Sequence, residues 1–340
     1  MKSMKAVGLT QYLPIDNPDS LMDIELDIPS PQIRDVLVKV HAIAVNPVDT
    51  KIRKPKDKVE AKPKVLGWDA AGEVMGVGDA VTLFKVGDLV YYAGDVTRSG
   101  CNAEYQVIDE RIVGHKPCSL NFEAAAALPL TAITAWEALF DRLGISQDLV
   151  NNLGKSILII GGAGGVGSIA IQLAKKIAGL NVIATASRPE TIQWVKNLGA
   201  DHVVNHHQLK KEMAELNIQP GYILCNNDTD GYFDAMAEIV KPQGKICSIV
   251  ETTKPVNLDV LKTKSATFVW EFMFSRSMFK TDDMIAQHHI LERVAKLIDD
   301  GVLITTLNQV LAPINAENLR QAHAQLESGS TIGKLVLTGW

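Results

Sequence analysis

The chain has 340 residues, of which 46% are hydrophobic and 21% are charged, and its 34 Lys and Arg against 39 Asp and Glu give a formal charge of −5. Because one core seldom grows beyond roughly 250–300 residues, this ordinary globular composition predicts two structural domains. A mildly acidic chain without a block of Lys or Arg argues against nucleic acid or a membrane surface as the main partner.

The N-terminal segment and the cysteines indicate the compartment. The segment lacks the apolar core and cleavage site of a secretory signal, and every apolar run is interrupted well before the ~20 residues that a membrane span requires. The four cysteines are far apart and form no CxxC pair, which argues against disulfides and a thiolate metal cage. We therefore expect a cytoplasmic protein whose cysteines are small buried residues.

Short alternating or β-branched runs, interrupted by turn residues, fill the chain up to about residue 125. Examples are VLVKVHAIAV, AAGEVMGVGDAVTLFKVGDLVYYAG and AEYQVIDERIV. Closely spaced strands of this kind are typical of a β-barrel or a β-sandwich. Tight turns between the strands explain the many glycines of this region.

From about Lys155 the pattern changes to strands that alternate with helices. Continuous apolar runs such as SILIIG, NVIATA, GYILC and GKICSIV are separated by segments with helical spacing. That alternation predicts a parallel sheet covered by helices on both faces. The run ATFVWEFMF predicts one more strand, and the remaining chain predicts two helices and a final strand.

A glycine-rich turn connects the first of these strands to its helix. The strand passes directly into Gly162-Ala163-Gly164-Gly165-Val166-Gly167, and helical spacing follows. In this context Gly162 permits the tight turn, Gly164 lets backbone N–H groups approach a pyrophosphate, and Gly167 lets the helix pack closely on the strand. The spacing therefore predicts a dinucleotide-binding loop rather than a purely structural turn.

The end of the second strand distinguishes the two common dinucleotides. An NAD enzyme places an Asp or Glu there, about 20 residues beyond the glycine loop, to bind the ribose 2′-OH. This chain instead has Ser187 and Arg188, which suit a 2′-phosphate. We therefore predict NADPH as the cofactor, with a merely solvated loop at Arg188 as the alternative. Asn226 follows another strand at the carboxyl end of the predicted sheet, where ligands bind, and is a further candidate.

Five motifs occur in order along the chain: NPVD at 46–49, LGWDAAGEV at 66–74, VGDLV at 86–90, LPLTA at 128–132 and the glycine loop. Over its whole length the sequence resembles the medium-chain dehydrogenase/reductases, in particular their zinc-independent quinone oxidoreductase branch. The runs at 91–117 and 268–279 resemble a bacterial subgroup named zinc-type alcohol dehydrogenase-like. The resemblance implies an α/β protein with a GroES-like β-barrel catalytic domain at 1–127, a Rossmann doubly wound parallel sheet at 128–267, and a segment at 268–340 that returns to the catalytic domain.

The resemblance also implies that the zinc sites of the alcohol dehydrogenases are missing. Asn46 stands where the first Cys ligand would be, Trp68 replaces the His of a Gly-His-Glu motif, and no Cys lies near Thr131. The lobe that would hold a structural zinc contains only Cys101. The histidine pairs at 206–207 and 288–289 are consecutive residues, so we expect them at the surface rather than on a metal.

Without a Lewis acid the acceptor must already be electron-poor, so the resemblance implies reduction of quinones or α,β-unsaturated carbonyls by NADPH. It places Asn46 and Thr131 at the nicotinamide end, the segment 164–166 at the pyrophosphate, and Lys334 in contact with the cofactor. No proton donor is evident. An aldehyde or ketone reductase and a non-enzymatic NADPH-binding protein of the zeta-crystallin kind are the alternatives.

Aromatic residues alternate along the predicted strand ATFVWEFMF. Phe268, Trp270, Phe272 and Phe274 give it more apolar surface than a lone edge strand should expose. We expect this edge to pair across a twofold axis in a homodimer, unless the same aromatics cover the active-site cleft.

Overall fold

The computed structural model describes residues 2–340, and their contacts divide the chain into two units. The first unit runs to Leu130 and resumes at Phe274–Trp340, whereas the second comprises Thr131–Met273. Two segments that are distant in sequence therefore build the first unit. Within the described range, no helix is both long and apolar enough to cross a membrane.

Strands dominate the first segment of the chain, and helices alternate with strands in the middle. The segment up to residue 128 contains β1 (Ser3–Tyr12), β2 (Met22–Asp27), β3 (Asp35–Ala44), α1 (Pro47–Arg53), β4 (Lys56–Val65), β5 (Ala70–Val77), β6 (Leu89–Tyr92), β7 (Tyr105–Asp109), β8 (Val113–His115) and α2 (Phe122–Ala126). The middle of the chain contains α3 (Pro129–Trp136), β9 (Ser156–Ile160), α4 (Gly165–Gln172), β10 (Asn181–Thr185), α5 (Pro189–Leu198), β11 (His202–Val204), α6 (Leu209–Leu216), β12 (Tyr222–Cys225), α7 (Thr229–Ile239), β13 (Lys245–Ser248) and β14 (Thr267–Trp270). The last segment contains α8 (Ser275–Phe279), α9 (Ala286–Asp299), β15 (Leu307–Leu311), α10 (Ala316–Glu327) and β16 (Lys334–Thr338).

Two sheets form the first unit. β1 lies between β2 and β4 in an antiparallel sheet, and the larger sheet has the order β15-β16-β3-β5-β6-β8, with β7 paired to β3. Strand β3 follows the alternation of its sequence, since Val36, Val38 and Val40 are buried whereas Lys39 is exposed. The predicted sheet-rich domain of the GroES-like type is confirmed.

The second unit is built on one parallel sheet of six strands in the order β11-β10-β9-β12-β13-β14. All five residues of β9 are buried, as expected for a strand covered by helices on both faces. The predicted Rossmann sheet is therefore confirmed. The strand order reverses between β9 and β12, and ligands of such sheets bind beyond the carboxyl ends of the strands at this point.

The aromatic run ATFVWEFMF forms a shorter strand than expected, because β14 ends at Trp270. This strand pairs in parallel with β13, which brings Phe268 beside Ile246, and the Phe268 ring also packs edge-on against Phe233. The strand is thus an integral part of the second unit. The second unit extends to Met273, whereas the sequence analysis places the domain boundary at residue 267.

Two expectations about surface and core are wrong. Cys118 is exposed, although the other three cysteines are buried as predicted. His288 is buried, and its Nδ1 atom lies 2.7 Å from the carbonyl oxygen of Val113, whereas His289 is exposed. Consecutive residues of a helix point about 100° apart, so one histidine of the pair in α9 faces β8 while the next faces solvent.

Candidate active site

The glycine loop has the shape that a pyrophosphate site requires. A Cβ atom at Gly167 would lie 2.2 Å from the carbonyl oxygen of Gly161, and one at Gly162 would lie 3.0 Å from the Cβ of Ala184. The backbone therefore closes position 167 to larger residues, whereas position 162 is tightly packed. A Cβ at Gly164 would meet nothing closer than 3.6 Å. The space in front of Gly164, at the N-terminus of α4, is thus open to an anionic group.

The end of β10 supports the loop and presents the predicted phosphate ligands. Thr185, which sequence reasoning missed, accepts a hydrogen bond from the Gly161 N–H at 2.9 Å through its Oγ1 atom. Ser187 and Arg188 follow after Ala186 and are partly exposed. The Arg188 guanidinium lies 3.2 Å from the carboxylate of Glu190, and both side chains are exposed to solvent. A surface pair of this kind is weak.

Asn226 follows β12 beside the glycine loop. Its Cβ atom would lie 3.3 Å from a Cβ placed on Gly161. Both polar atoms of its side-chain amide are buried and have no hydrogen-bond partner. Leaving a buried polar group unsatisfied costs about 1–3 kcal/mol, so the amide is positioned for a partner that the chain itself does not supply.

A cavity of about 420 Å³ opens beyond the carboxyl ends of β13 and β14. It was not predicted, although it lies at the same edge of the sheet as the glycine loop. Its volume is within the range of small-molecule sites. The lining residues come from the end of β14 and from the segments that follow β13 and β14, and they are Ile249, Glu251, Thr252, Trp270, Glu271 and Phe272.

In the first unit, Asn46 lies at the junction of β3 and α1 and is 1% exposed. Its backbone N–H donates to Oδ2 of Asp49 at 2.6 Å, which fixes the start of the helix. Its side-chain Nδ2 donates to Oδ2 of Asp69 at 2.9 Å. Both aspartates were present in the motifs at 46–49 and 66–74, but their contacts with Asn46 could not be read from the sequence.

Lys334 completes this buried network. Its Nζ atom donates to Oδ2 of Asp69 and to the carbonyl oxygen of Val45, each at 2.9 Å, and also to Oδ1 of Asn46. An ammonium group has three N–H donors, and all three are used here. These bonds hold the Lys334 side chain against Asn46 and Asp69. The predicted contact of Lys334 with the cofactor stays a prediction.

Burial dominates the electrostatics of the two aspartates. It raises the pKa of Asp49 to about 7, against the opposing effects of the Asn46 N–H and Lys334. It also raises the pKa of Asp69, an effect that Lys334 and the Asn46 amide oppose. Asp49 Oδ1 is buried and has no hydrogen-bond partner. The network thus contains one carboxyl group that is paired with a cation and one that is not.

The structure brings the predicted residues together in two groups. Asn46 and Lys334 meet in the first unit, whereas the glycine loop, Ser187, Arg188 and Asn226 belong to the second. Thr131 is buried in the second unit near the start of α3, and its placement at the nicotinamide end stays a prediction. Within residues 2–340, no three His, Cys, Asp or Glu side chains are arranged to hold a metal ion.

Comparison with known proteins identifies the family. Residues 32–118 match the alcohol dehydrogenase GroES-like domain, and residues 198–337 match the zinc-binding dehydrogenase domain. A zinc-type alcohol dehydrogenase-like protein of Staphylococcus epidermidis is 46% identical over 337 residues, which cover 98% of this chain and 99% of that protein. The chain belongs to the medium-chain dehydrogenase/reductase superfamily.

As a medium-chain dehydrogenase/reductase, the protein is an oxidoreductase. The solved structure of a candidate zinc-dependent alcohol dehydrogenase from Rhizobium etli has a TM-score of 0.95 and 48% identity, and the match covers 100% of this chain and 99% of that one. A 2-methylene-furan-3-one reductase of Solanum lycopersicum is 31% identical over 346 residues, which cover 98% of this chain and 79% of that protein. The predicted family is confirmed, and the intact glycine loop on its Rossmann sheet supports binding of a nicotinamide cofactor.

Proposed function

We propose that this protein is an NADPH-dependent reductase of α,β-unsaturated carbonyls or quinones that works without a metal ion. The buried network of Asn46, Asp69 and Lys334 carries the proposal. By resemblance, Asn46 occupies the position of a zinc ligand, and here its side chain is bonded to a buried ion pair. Because every N–H of Lys334 is used, this cation cannot polarise a substrate carbonyl as a metal would. The acceptor must therefore be electron-poor already.

The residues of the second unit fit a phosphorylated dinucleotide. The space in front of Gly164 is open to the pyrophosphate, and the unpartnered amide of Asn226 lies beside it. Ser187 and Arg188 would bind the 2′-phosphate. A bound NADPH would supply the hydride. The chain's own task is then to hold cofactor and acceptor in a reactive geometry.

The relatives support two different substrate classes. The name of the tomato relative describes a reductase of a conjugated ketone, which agrees with the proposal. The names of the bacterial relatives favour a second candidate, a zinc-type alcohol dehydrogenase. Asn46 and Trp68 weigh against that candidate, since neither side chain is a zinc ligand.

The test is a comparison of acceptors. NADPH oxidation is measured with cyclohexenone, cyclohexanone and a para-quinone at equal concentrations, before and after dialysis against a chelator. We expect turnover of cyclohexenone or the quinone, no change after dialysis, and negligible turnover of cyclohexanone. Faster reduction of cyclohexanone would support the second candidate. Activity with none of the three would support a non-enzymatic NADPH-binding protein.

We also propose a homodimer that forms through β14. This strand is the last in its sheet, and Trp270 and Phe272 beside it are 47% and 48% exposed. An unpaired edge with exposed aromatics is well suited to pairing with a second copy. Sedimentation analysis should show a dimer that Phe272→Asp weakens. The control is Phe279→Asp, which changes an equally apolar side chain that is 74% exposed in the first unit.

A further inference from the structure

A pair of buried carboxyl groups lies next to the cavity beyond β13 and β14. Glu137 is 0% exposed and Glu271 is 2% exposed, and their side chains are hydrogen-bonded to each other. Two ionised carboxylates have no proton to donate to one another, so this contact requires one shared proton. Glu137 belongs to the π-helical turn Glu137–Arg142 that continues α3, whereas Glu271 follows β14.

One arginine balances the remaining negative charge. Arg142 Nε donates to Oε2 of Glu271 at 2.8 Å, and its Nη2 atom lies 3.8 Å from Oε2 of Glu137. Burial, followed by the nearby Glu137 carboxyl, raises the pKa of Glu271, and Arg142 opposes this effect. Cys247 on β13 also faces the group, and its own pKa is raised by burial. Two carboxyl groups, one proton and one guanidinium therefore make an electrically neutral cluster.

The cluster reaches the cavity through Glu271. This residue is one of the six that line the cavity, together with Glu251 and Thr252 from the segment after β13. The cavity lies on the half of the sheet formed by β12, β13 and β14. Ser187 and Arg188 follow β10 and so belong to the other half. In a dinucleotide-binding sheet, the two halves bind the two nucleotides, so the half with the cavity is the one that the nicotinamide nucleotide would occupy.

We propose that Glu271 is the proton donor of the reaction and that Glu137 and Arg142 hold its proton in place. The inference rests on the proposed function. Conjugate reduction adds a hydride, which the nicotinamide supplies, to the β-carbon and moves an electron pair to the carbonyl oxygen. Glu271 then gives its proton to the α-carbon of the enolate, which restores the carbonyl. The pair is left doubly ionised, and a proton from water returns it to its starting state.

The test uses 2-methylcyclohex-2-enone, because protonation of its enolate at the α-carbon creates a stereocentre. Glu271→Gln keeps a hydrogen bond to Glu137 and leaves one carboxylate opposite Arg142, but it removes the proton. Glu137→Gln is the reciprocal variant, in which the amide donates to an ionised Glu271. Glu215→Gln is the matched control, since it makes the same substitution at an exposed residue of α6 that does not line the cavity.

We expect the wild type and Glu215→Gln to give one product enantiomer in clear excess. Glu271→Gln and Glu137→Gln should give a nearly racemic product, and their kcat should fall by about 100-fold, the usual contribution of a general acid. Their Kd for NADPH should stay within about twofold of the wild type, since neither variant touches the glycine loop. Unchanged enantiomeric excess in both Glu271→Gln and Glu137→Gln would overturn the inference while leaving the proposed function intact.

Infrared spectroscopy of the cofactor-free protein tests the shared proton without any turnover. At pH 8, the carbonyl stretch of a protonated carboxyl group should be present in the wild type and absent from both Glu271→Gln and Glu137→Gln. The absence of any such difference would overturn the inference. If the wild type reduces no conjugated ketone or quinone, the proposed function fails and the role of Glu271 in catalysis fails with it, whereas the infrared band still decides whether the proton is shared.

Discussion

The Nζ atom of Lys334 lies 2.9 Å from Oδ2 of Asp69, although 265 residues separate the two in the sequence. Neither side chain is more than 3% exposed. An ion pair buried this deeply is costly to break, because removal of one partner leaves the other charged and unsolvated. The pair therefore connects the last strand of the chain to the motif at 66–74, and stability measurements can detect its loss.

Lys334→Met should lower the free energy of unfolding by about 3–5 kcal/mol, as measured by urea titration, because it strands the Asp69 carboxylate. Lys296→Met is the control, since Lys296 pairs with Asp300 at 2.9 Å on the surface. That change should cost no more than about 1 kcal/mol. Similar small losses in both variants would contradict the role assigned to Lys334.

The stability of the protein should depend on pH through Asp49. Its pKa in the folded state, about 7, is above the ordinary value of 3.8. Between these two pKa values the folded protein keeps a proton that the unfolded chain has lost. The resulting stabilisation is fully present below the unfolded pKa, and it is lost as the pH rises through the folded pKa.

Asp49→Asn carries no such proton. Compared with this variant, the wild type should lose up to about 1.4 kcal/mol of unfolding free energy per pH unit between roughly pH 4 and pH 7. Urea titrations of both proteins across this range measure the difference. Parallel stability profiles would show that Asp49 is ionised in the folded protein at the lower pH.

Asn46→Ala and Thr131→Val should slow the reaction more than they weaken cofactor binding. The resemblance places both side chains at the nicotinamide end, and misplacement of reacting groups typically costs about 100-fold in rate. We expect kcat and kcat/KM for cyclohexenone to fall together, while the Kd for NADPH, measured by fluorescence titration, changes little. A selective rise in the Kd for NADPH would assign these residues to cofactor binding instead.

NADPH should bind more tightly than NADH, and Arg188→Ala should remove most of the difference. A hydrogen bond to a charged phosphate contributes about 1.5–3 kcal/mol, and NADH lacks that phosphate. Calorimetric titration of both cofactors into both proteins measures the change. Glu190→Gln serves as the control because it removes the ion pair with Arg188 but keeps the guanidinium. Equal affinities of the wild type for the two cofactors would contradict the prediction.

The purified protein should contain no stoichiometric zinc after a mild chelator wash. Asn46 and Trp68 stand at two positions that the resemblance assigns to zinc ligands, and Asn46 is already bonded to Asp69 and Lys334. Elemental analysis measures the content directly. One tightly bound zinc ion per chain would mean that the protein builds its metal site from other residues.

The sequence alone determined the strands, turns and helices that depend only on residues close together along the chain. The run of apolar residues at β9 and the glycines that follow it predict a buried strand, a tight turn and a helix, because each requirement acts over a few consecutive positions. Ser187 and Arg188 could be found in the same way, by counting along the chain from the glycine loop. The parallel sheet and the predicted nucleotide loop both follow from such local patterns.

Features that depend on which distant segments meet were decided by the tertiary structure. Lys334 reads as an isolated basic residue until β16 is placed beside β3, which brings its ammonium group to Asn46 and Asp69. Glu271 likewise reads as a single charge in an aromatic run until β14 lies against the turn that carries Glu137 and Arg142. Burial then changes the chemistry of these carboxyl groups, because it removes the water that would keep them ionised. Local patterns therefore identified the nucleotide loop, whereas long-range packing created the buried acid pair and the fully bonded lysine.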